Sequence, residues 1–153
     1  MDEELRRLID KNEIVETIDR LFVNTDQRNW PGVRECFTET VQFDMSSAGG
    51  GPAAPLAAQA ITDAWQSGLS NLHAIHHQAG SYHVNVDGDR ATASCYGIAF
   101  HHRQVRSGRN TRTFVGSYDF DLIRASGTWR IAGFRFNLKF IDGNPDLHLE
   151  PAP

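Results

Sequence analysis

Five of the seven histidines fall in two short clusters, His73, His76 and His77 and then His101 and His102, while Asp26 stands near the end of the first helical stretch. An imidazole can take or give a proton near neutral pH, and a carboxylate beside it fixes its tautomer and stabilises the imidazolium. An aspartate–histidine pair is therefore suited to drawing a proton from carbon. At about 100° per residue Asp26 falls beside Val15 and Phe22, at the edge of the apolar stripe Leu5, Leu8, Ile14, Ile18, Leu21 and Phe22. A carboxylate there is half-desolvated; the plainer alternative is a helix-end aspartate in solvent. His102 continues the alternation of Tyr96, Ile98 and Phe100, which predicts an inward histidine on an apolar strand, in need of a hydrogen-bond partner.

Other chemistries fit less well. His73, His76, His77 and His102 could supply imidazoles, but no carboxylate or cysteine stands at ligand spacing, so no metal is expected. No Gly-x-Ser-x-Gly elbow is present, and Gly49-Gly50-Gly51 runs into Pro52 rather than a Lys-Ser/Thr pair, so neither a serine nucleophile nor a phosphate loop is expected. Cys36 and Cys95 sit among apolar neighbours and read as buried thiols, not a disulfide framework. No cofactor is implied.

The elements that must position these residues divide the chain in two. The first half is helical. The opening helix is interrupted at Asn29-Trp30-Pro31, where a cap and a first-turn proline start a short second helix burying Val33, Cys36 and Phe37. Val41, Phe43 and Met45 alternate with Gln42 and Asp44 as a first strand. Residues 46–55 form a loop, and a third helix from about Leu56 to Leu69 places Ala57, Ile61, Ala64, Trp65 and Leu69 on one side. The second half reads as strands. Tyr82 to Val86, Ala91 to Val105, a strand through Phe114, Tyr118, Phe120 and Leu122, and Thr128 to Ile141 are joined by turns at Asp87-Gly88-Asp89, Ser107–Asn110 and Ser126-Gly127. Helices first and a meander afterwards indicate an α+β layer with helices on one face of a curved sheet.

At 153 residues, 40% hydrophobic, 22% charged and with a net charge of −4, the chain reads as one ordinary globular domain. The densest basic stretch, Arg103 to Arg112, has its four arginines split by Ser and Gly, so nucleic acid is not an expected partner. No apolar run is long enough to span a membrane, and the charged start MDEELRRLIDKNE does not read as a secretory signal. A cytoplasmic location is the expectation.

Several pieces, in order, resemble a SnoaL-like domain of the nuclear-transport-factor-2-like (NTF2-like) superfamily. Asp26-Gln27-Arg28-Asn29-Trp30 resembles D-x-x-D-W with Asn29 for the second acid. Phe37 to Asp44, Ile75-His76-His77, Val86 to Ala91, Gly116 to Asp119 and Gly127 to Ile131 resemble further family segments. The resemblance runs from about Asn12 to Asn144. It implies a cystatin-like cone, with about three helices on a strongly curved antiparallel or mixed sheet around a pocket, spanning residues 1–153 with a core of about 8–144. The pattern is similar to the scytalone dehydratase, lindane dehydrochlorinase and bile-acid 7α-dehydratase families. That similarity implies a cofactor-independent lyase acting on a small hydrophobic, cyclic or aromatic molecule. Asp26 would orient a histidine base, and the distance to Gly88 favours His77 over His76. His102 would be a second pocket histidine. Phe22, Asp44, Trp65, Tyr96, Phe100 and Tyr118 would bind substrate, within an aromatic wall that also takes in Phe43, Phe114 and Phe120. Thr25 stands where scytalone dehydratases carry a pocket tyrosine. Two alternatives remain at this stage: a ketosteroid-isomerase- or polyketide-cyclase-like enzyme with Asp44 as base, and a non-catalytic ligand-binding domain. Relatives pair through the open sheet face, so a homodimer or homotrimer is expected, with Trp129 on the exposed side.

Overall fold

The computed structural model describes residues 1–153. Helix α1 (Glu3–Asp26) starts where the Asp2 carboxylate accepts the Glu4 N–H, and acidic Glu3 and Glu4 occupy its positive first turn. It buries Ile14, Ile18, Leu21 and Phe22, but not Leu5 or Leu8, which are solvent-exposed. The first buried residue of the helix is Asp10, whose carboxylate accepts from Arg124 Nη1 at 2.5 Å and from Trp129 Nε1 at 3.3 Å. Trp129 is thus a core residue, not an exposed one; this corrects the sequence expectation. Asn29 caps α2 (Trp30–Cys36) by accepting the Gly32 N–H, with Pro31 in the first turn.

Strand β1 (Phe37–Asp44) follows directly. Within residues 46–55 the chain makes a one-turn 3-10 helix, Ser46–Ala48, and then opens β2 (Ala54–Ala57), so Leu56 is a strand residue and α3 runs Ala58–Gly68. Four long strands complete the sheet: β3 (Ala74–Asp87), β4 (Arg90–His102), β5 (Thr111–Ala125) and β6 (Thr128–Gly143). The sheet order is β2-β1-β6-β5-β4-β3, with β1 parallel to β6 and every other pair antiparallel. Register shifts in β3 between Gly80 and His83, and in the β5–β6 pair at Val115/Gly116 and Asp121/Leu122, bend the strands around the helices. This is an α+β NTF2-like, cystatin-like fold.

The inner face of β4 carries Ala91, Ala93, Cys95, Gly97, Ala99 and His101; Tyr96, Ile98 and Phe100 face outward and are exposed. The inner face needs small side chains because Tyr118, the cross-strand neighbour of Cys95, lies over it. A Cβ on Gly97 would stand 2.2 Å from the Tyr118 ring. The inner aromatics Phe22, Phe37, Tyr118, Phe120, Phe134 and Phe136 form the main core. A smaller cluster of Leu72, Ile75, Val105 and Leu147 seats the C-terminal segment.

Candidate active site

Asp26 is the last residue of α1. The next residue but one, Arg28, takes a left-handed conformation (φ 58°) that ends the helix. Its guanidinium donates to the carbonyls of Leu69 (2.8 Å) and Leu72 (2.6 Å), tying the helix end to the turn that launches β3. This brings Asp26 onto His77, four residues into the run Ala74–His77. Asp26 grips that residue twice: Oδ1 accepts His77 Nδ1–H at 2.6 Å, and Oδ2 accepts the His77 backbone N–H at 2.8 Å. The two side chains are only 15% and 17% exposed. Phe22, one turn back on α1, stacks on the imidazole (centroids 5.3 Å apart, planes 16°). With Nδ1 committed to Asp26, Nε2 is the open nitrogen and carries a lone pair.

His77 lines a cavity of about 350 Å³. Its walls are mostly apolar: Phe22, Phe43, Trp65, Phe114, Phe134 and Phe136, with Met45 just past the end of β1 and Ala48 and Gly50 from the 46–55 loop. Ser47 pins that loop, donating to the Phe136 carbonyl and accepting the Leu138 N–H. Few polar groups interrupt these walls. Thr25 donates its hydroxyl to the Leu21 carbonyl and is satisfied. Tyr118 is buried and lines the cavity, yet its hydroxyl makes no hydrogen bond to the protein; burial pushes its ionisation well above the usual phenol range. His101 is the other, and Arg112 on the facing strand donates Nη2–H to its Nδ1 at 3.1 Å. Burial first, then the nearby Arg112 cation, His77 and His148, lowers the His101 pKa to about 3.

The inward histidine on β4 is therefore His101, not His102. His102 lies on the opposite face near His73, and Tyr96 and Phe100 share that outer face, so none of the three lines the cavity. Alternation of large apolar side chains predicts that they face the core, but this strand keeps its small residues inside, where Tyr118 lies over them. Of the paired histidines in β3, His77 is inward, and His76 packs against Phe100 outside. Asp44 also lies away from the cavity. It accepts from the Ser46 N–H and hydroxyl, lies 3.6 Å from Arg135 and lines an open groove on the outer sheet face. Those hydrogen bonds from Ser46 hold its carboxyl below the usual range. Of the other expected wall residues, Phe22, Trp65, Tyr118, Phe43 and Phe114 line the cavity, while Phe120 is plain core. His101 and Arg112 escaped the sequence reading. Their signal was the run of small residues at alternate positions from Ala91 to Ala99, whose continuation is His101.

The model of the SnoaL-like domain matches residues 6–135. The chain belongs to the SnoaL-like domain family. No curated protein matches it. Among solved structures, this SnoaL-like chain is similar to the Kfla4162 protein of Kribbella flavida, at 23% identity and a TM-score of 0.85, covering 89% of this chain and 95% of that one. It is similar to a scytalone dehydratase-like protein of Novosphingobium aromaticivorans, at 13% identity and a TM-score of 0.78, covering 95% and 93%. It also resembles a hexachlorocyclohexane dehydrochlorinase of Novosphingobium barchaimii, at 13% identity and a TM-score of 0.74, covering 97% and 99%. These likenesses establish the SnoaL-like fold; its neighbours include proteins named as dehydratases and dehydrochlorinases.

Proposed function

We propose that this SnoaL-like protein is a cofactor-independent lyase that eliminates water or halide from a small, uncharged, hydrophobic cyclic molecule, with His77 as base and Asp26 as its orienting partner. The observation that carries the reading is the double grip of Asp26 on His77, which leaves Nε2 open at the wall of an apolar cavity. His77 Nε2 takes a proton from the carbon next to an activating group. The C–H electron pair becomes the new C=C bond as the carbon–oxygen or carbon–halogen bond breaks. A departing hydroxide collects the proton from the imidazolium and leaves as water; a halide leaves as the anion, and the proton passes to solvent. Asp26 stabilises the imidazolium while it lasts, and the His101 and Tyr118 donors face the oxygen on which negative charge gathers. The lining contains no ammonium or guanidinium group, which suits a neutral substrate. An isomerase with Asp44 as base is not favoured, because that carboxylate faces the outer groove.

The test is a panel of cyclic alcohols, hydroxyketones and chlorinated rings, assayed for alkene formation. His77→Ala is expected to lower turnover by roughly 10²–10⁴, the usual worth of a positioned base. Asp26→Asn is expected to lose a similar amount: its amide would donate to Nδ1, forcing the imidazole proton onto Nε2 and turning the base into a donor. Undiminished turnover in His77→Ala removes the assignment. Tight binding of panel members with no turnover in the unaltered protein identifies a binding domain instead.

A further inference from the structure

We propose that Arg112 is a positioning residue which locks His101 as a neutral Nε2–H donor to the oxygen of the bound molecule. This rests on the lyase reading for its purpose, but not for its geometry. His101 and Arg112 are directly opposed in the β4–β5 ladder, and both side chains are buried on the inner face. Arg112 makes no ion pair. Its acceptors are all neutral: His101 Nδ1 at 3.1 Å, His148 Nδ1 at 2.7 Å and the Pro145 carbonyl at 3.3 Å, with the Phe114 ring under the guanidinium at 5.1 Å. Its Nε has no partner at all. A buried cation with no counter-charge is costly to a fold, and here it sits behind a cavity-lining imidazole.

Two consequences follow from the donor inventory. A guanidinium only donates, so His101 must present a lone pair at Nδ1 and carry its proton on Nε2. Protonating His101 would set an imidazolium against Arg112, so the ring stays neutral; the other titratable groups near it are His77 and His148. The cation also polarises the Nε2–H bond, strengthening it toward an oxyanion. The base and the donor are close: His77 pairs with Ala99, two residues before His101, so the two imidazoles are diagonal neighbours on one face. Proton removal then creates positive charge beside Asp26 and negative charge beside the Arg112–His101 pair.

The test reads the ring nitrogens of His101 by NMR in the ¹⁵N-labelled full chain, with His101→Gln identifying the signals. The unaltered protein is expected to show the Nε2–H tautomer, without protonation between about pH 5 and 8. In Arg112→Met the ring is expected to populate both tautomers and to titrate inside that window, while Arg112→Lys keeps it neutral. A proton on Nδ1, or titration inside the window in the unaltered protein, overturns the proposal. That spectrum decides even if Arg112→Met does not fold. Because no turnover is involved, failure of the lyase reading in the His77→Ala assay leaves this outcome distinct. With 4-nitrophenol as probe, the unaltered protein is expected to prefer the phenolate, and Arg112→Met to lose about tenfold of that preference; no preference, or no binding, overturns the donor role.

Discussion

The Asp26 carboxylate spends one oxygen on a side chain and the other on the backbone of the same residue, His77. The second bond fixes the strand that carries the imidazole, so ring and backbone are aimed together. On the neighbouring strand His101 obeys a different rule: it is held neutral by burial and by a cation. That has a consequence for stability. An unfolded imidazole titrates near 6.5, while the folded His101 does so near 3. Between those values the unfolded chain takes up a proton that the folded chain refuses. Stability is therefore full above about 6.5 and falls as the pH drops toward 3, with a slope approaching 1.4 kcal/mol per pH unit for one proton. His101→Gln is expected to flatten that part of the acid limb, measured by urea unfolding of both proteins across the window. An identical acid limb in the variant contradicts the buried, neutral state.

The strands and helices divided sharply in how well they could be read. The opening helix, the Asn29-Trp30-Pro31 break, the Asp87–Asp89 turn and the final strand all announce themselves by local chemistry, namely caps, turn residues and periodicity, and the structure places them accordingly. Asp26 and His77 were readable because a helix end and a family-like segment flank them. The facing of β4 was not readable. Alternation tells which residues share a face but not which face is inside, and the large apolar residues on this strand are the outer ones. The deciding fact is tertiary: Tyr118 from β5 occupies the space above Gly97. Gly97→Ala tests that account. The added methyl meets the buried ring and must displace it, so a loss of about 1–3 kcal/mol is expected from overpacking. Weakened binding of apolar probes should accompany it as Tyr118 swings into the cavity. A melting temperature equal to that of the parent would show that the inner face has room to spare.

At the scale of the whole molecule, the sheet has two different faces. The inner one closes on the helices and the cavity. On the outer one, Ile98, half-buried Val115 and Phe140 form one cross-strand row, with Phe100 and Tyr96 in the rows on either side. Phe140 and Tyr96 are more than half exposed, Phe100 is 43% exposed, and Lys139 covers only the Tyr96 ring, at 4.1 Å. A contiguous aromatic patch of this kind is uncommon on an isolated monomer. Beside it the outer face turns polar and carries both signs of charge, with Asp119 opposite Arg135 in the β5–β6 pair and Ser94 and His83 continuing the row. A surface with an apolar centre and a border of mixed charge can meet its own copy, since each acid finds a base across a two-fold or three-fold axis. We therefore expect a homodimer or homotrimer built on this face. Phe100→Asp combined with Phe140→Asp places four or six carboxylates at the seam of such a dimer or trimer and should yield monomers by light scattering. The cavity lies on the other side of the sheet, so His101 ring signals should persist in those monomers. If the parent protein is itself monomeric at micromolar concentration, or the double variant keeps the parent's mass, the patch serves some other contact.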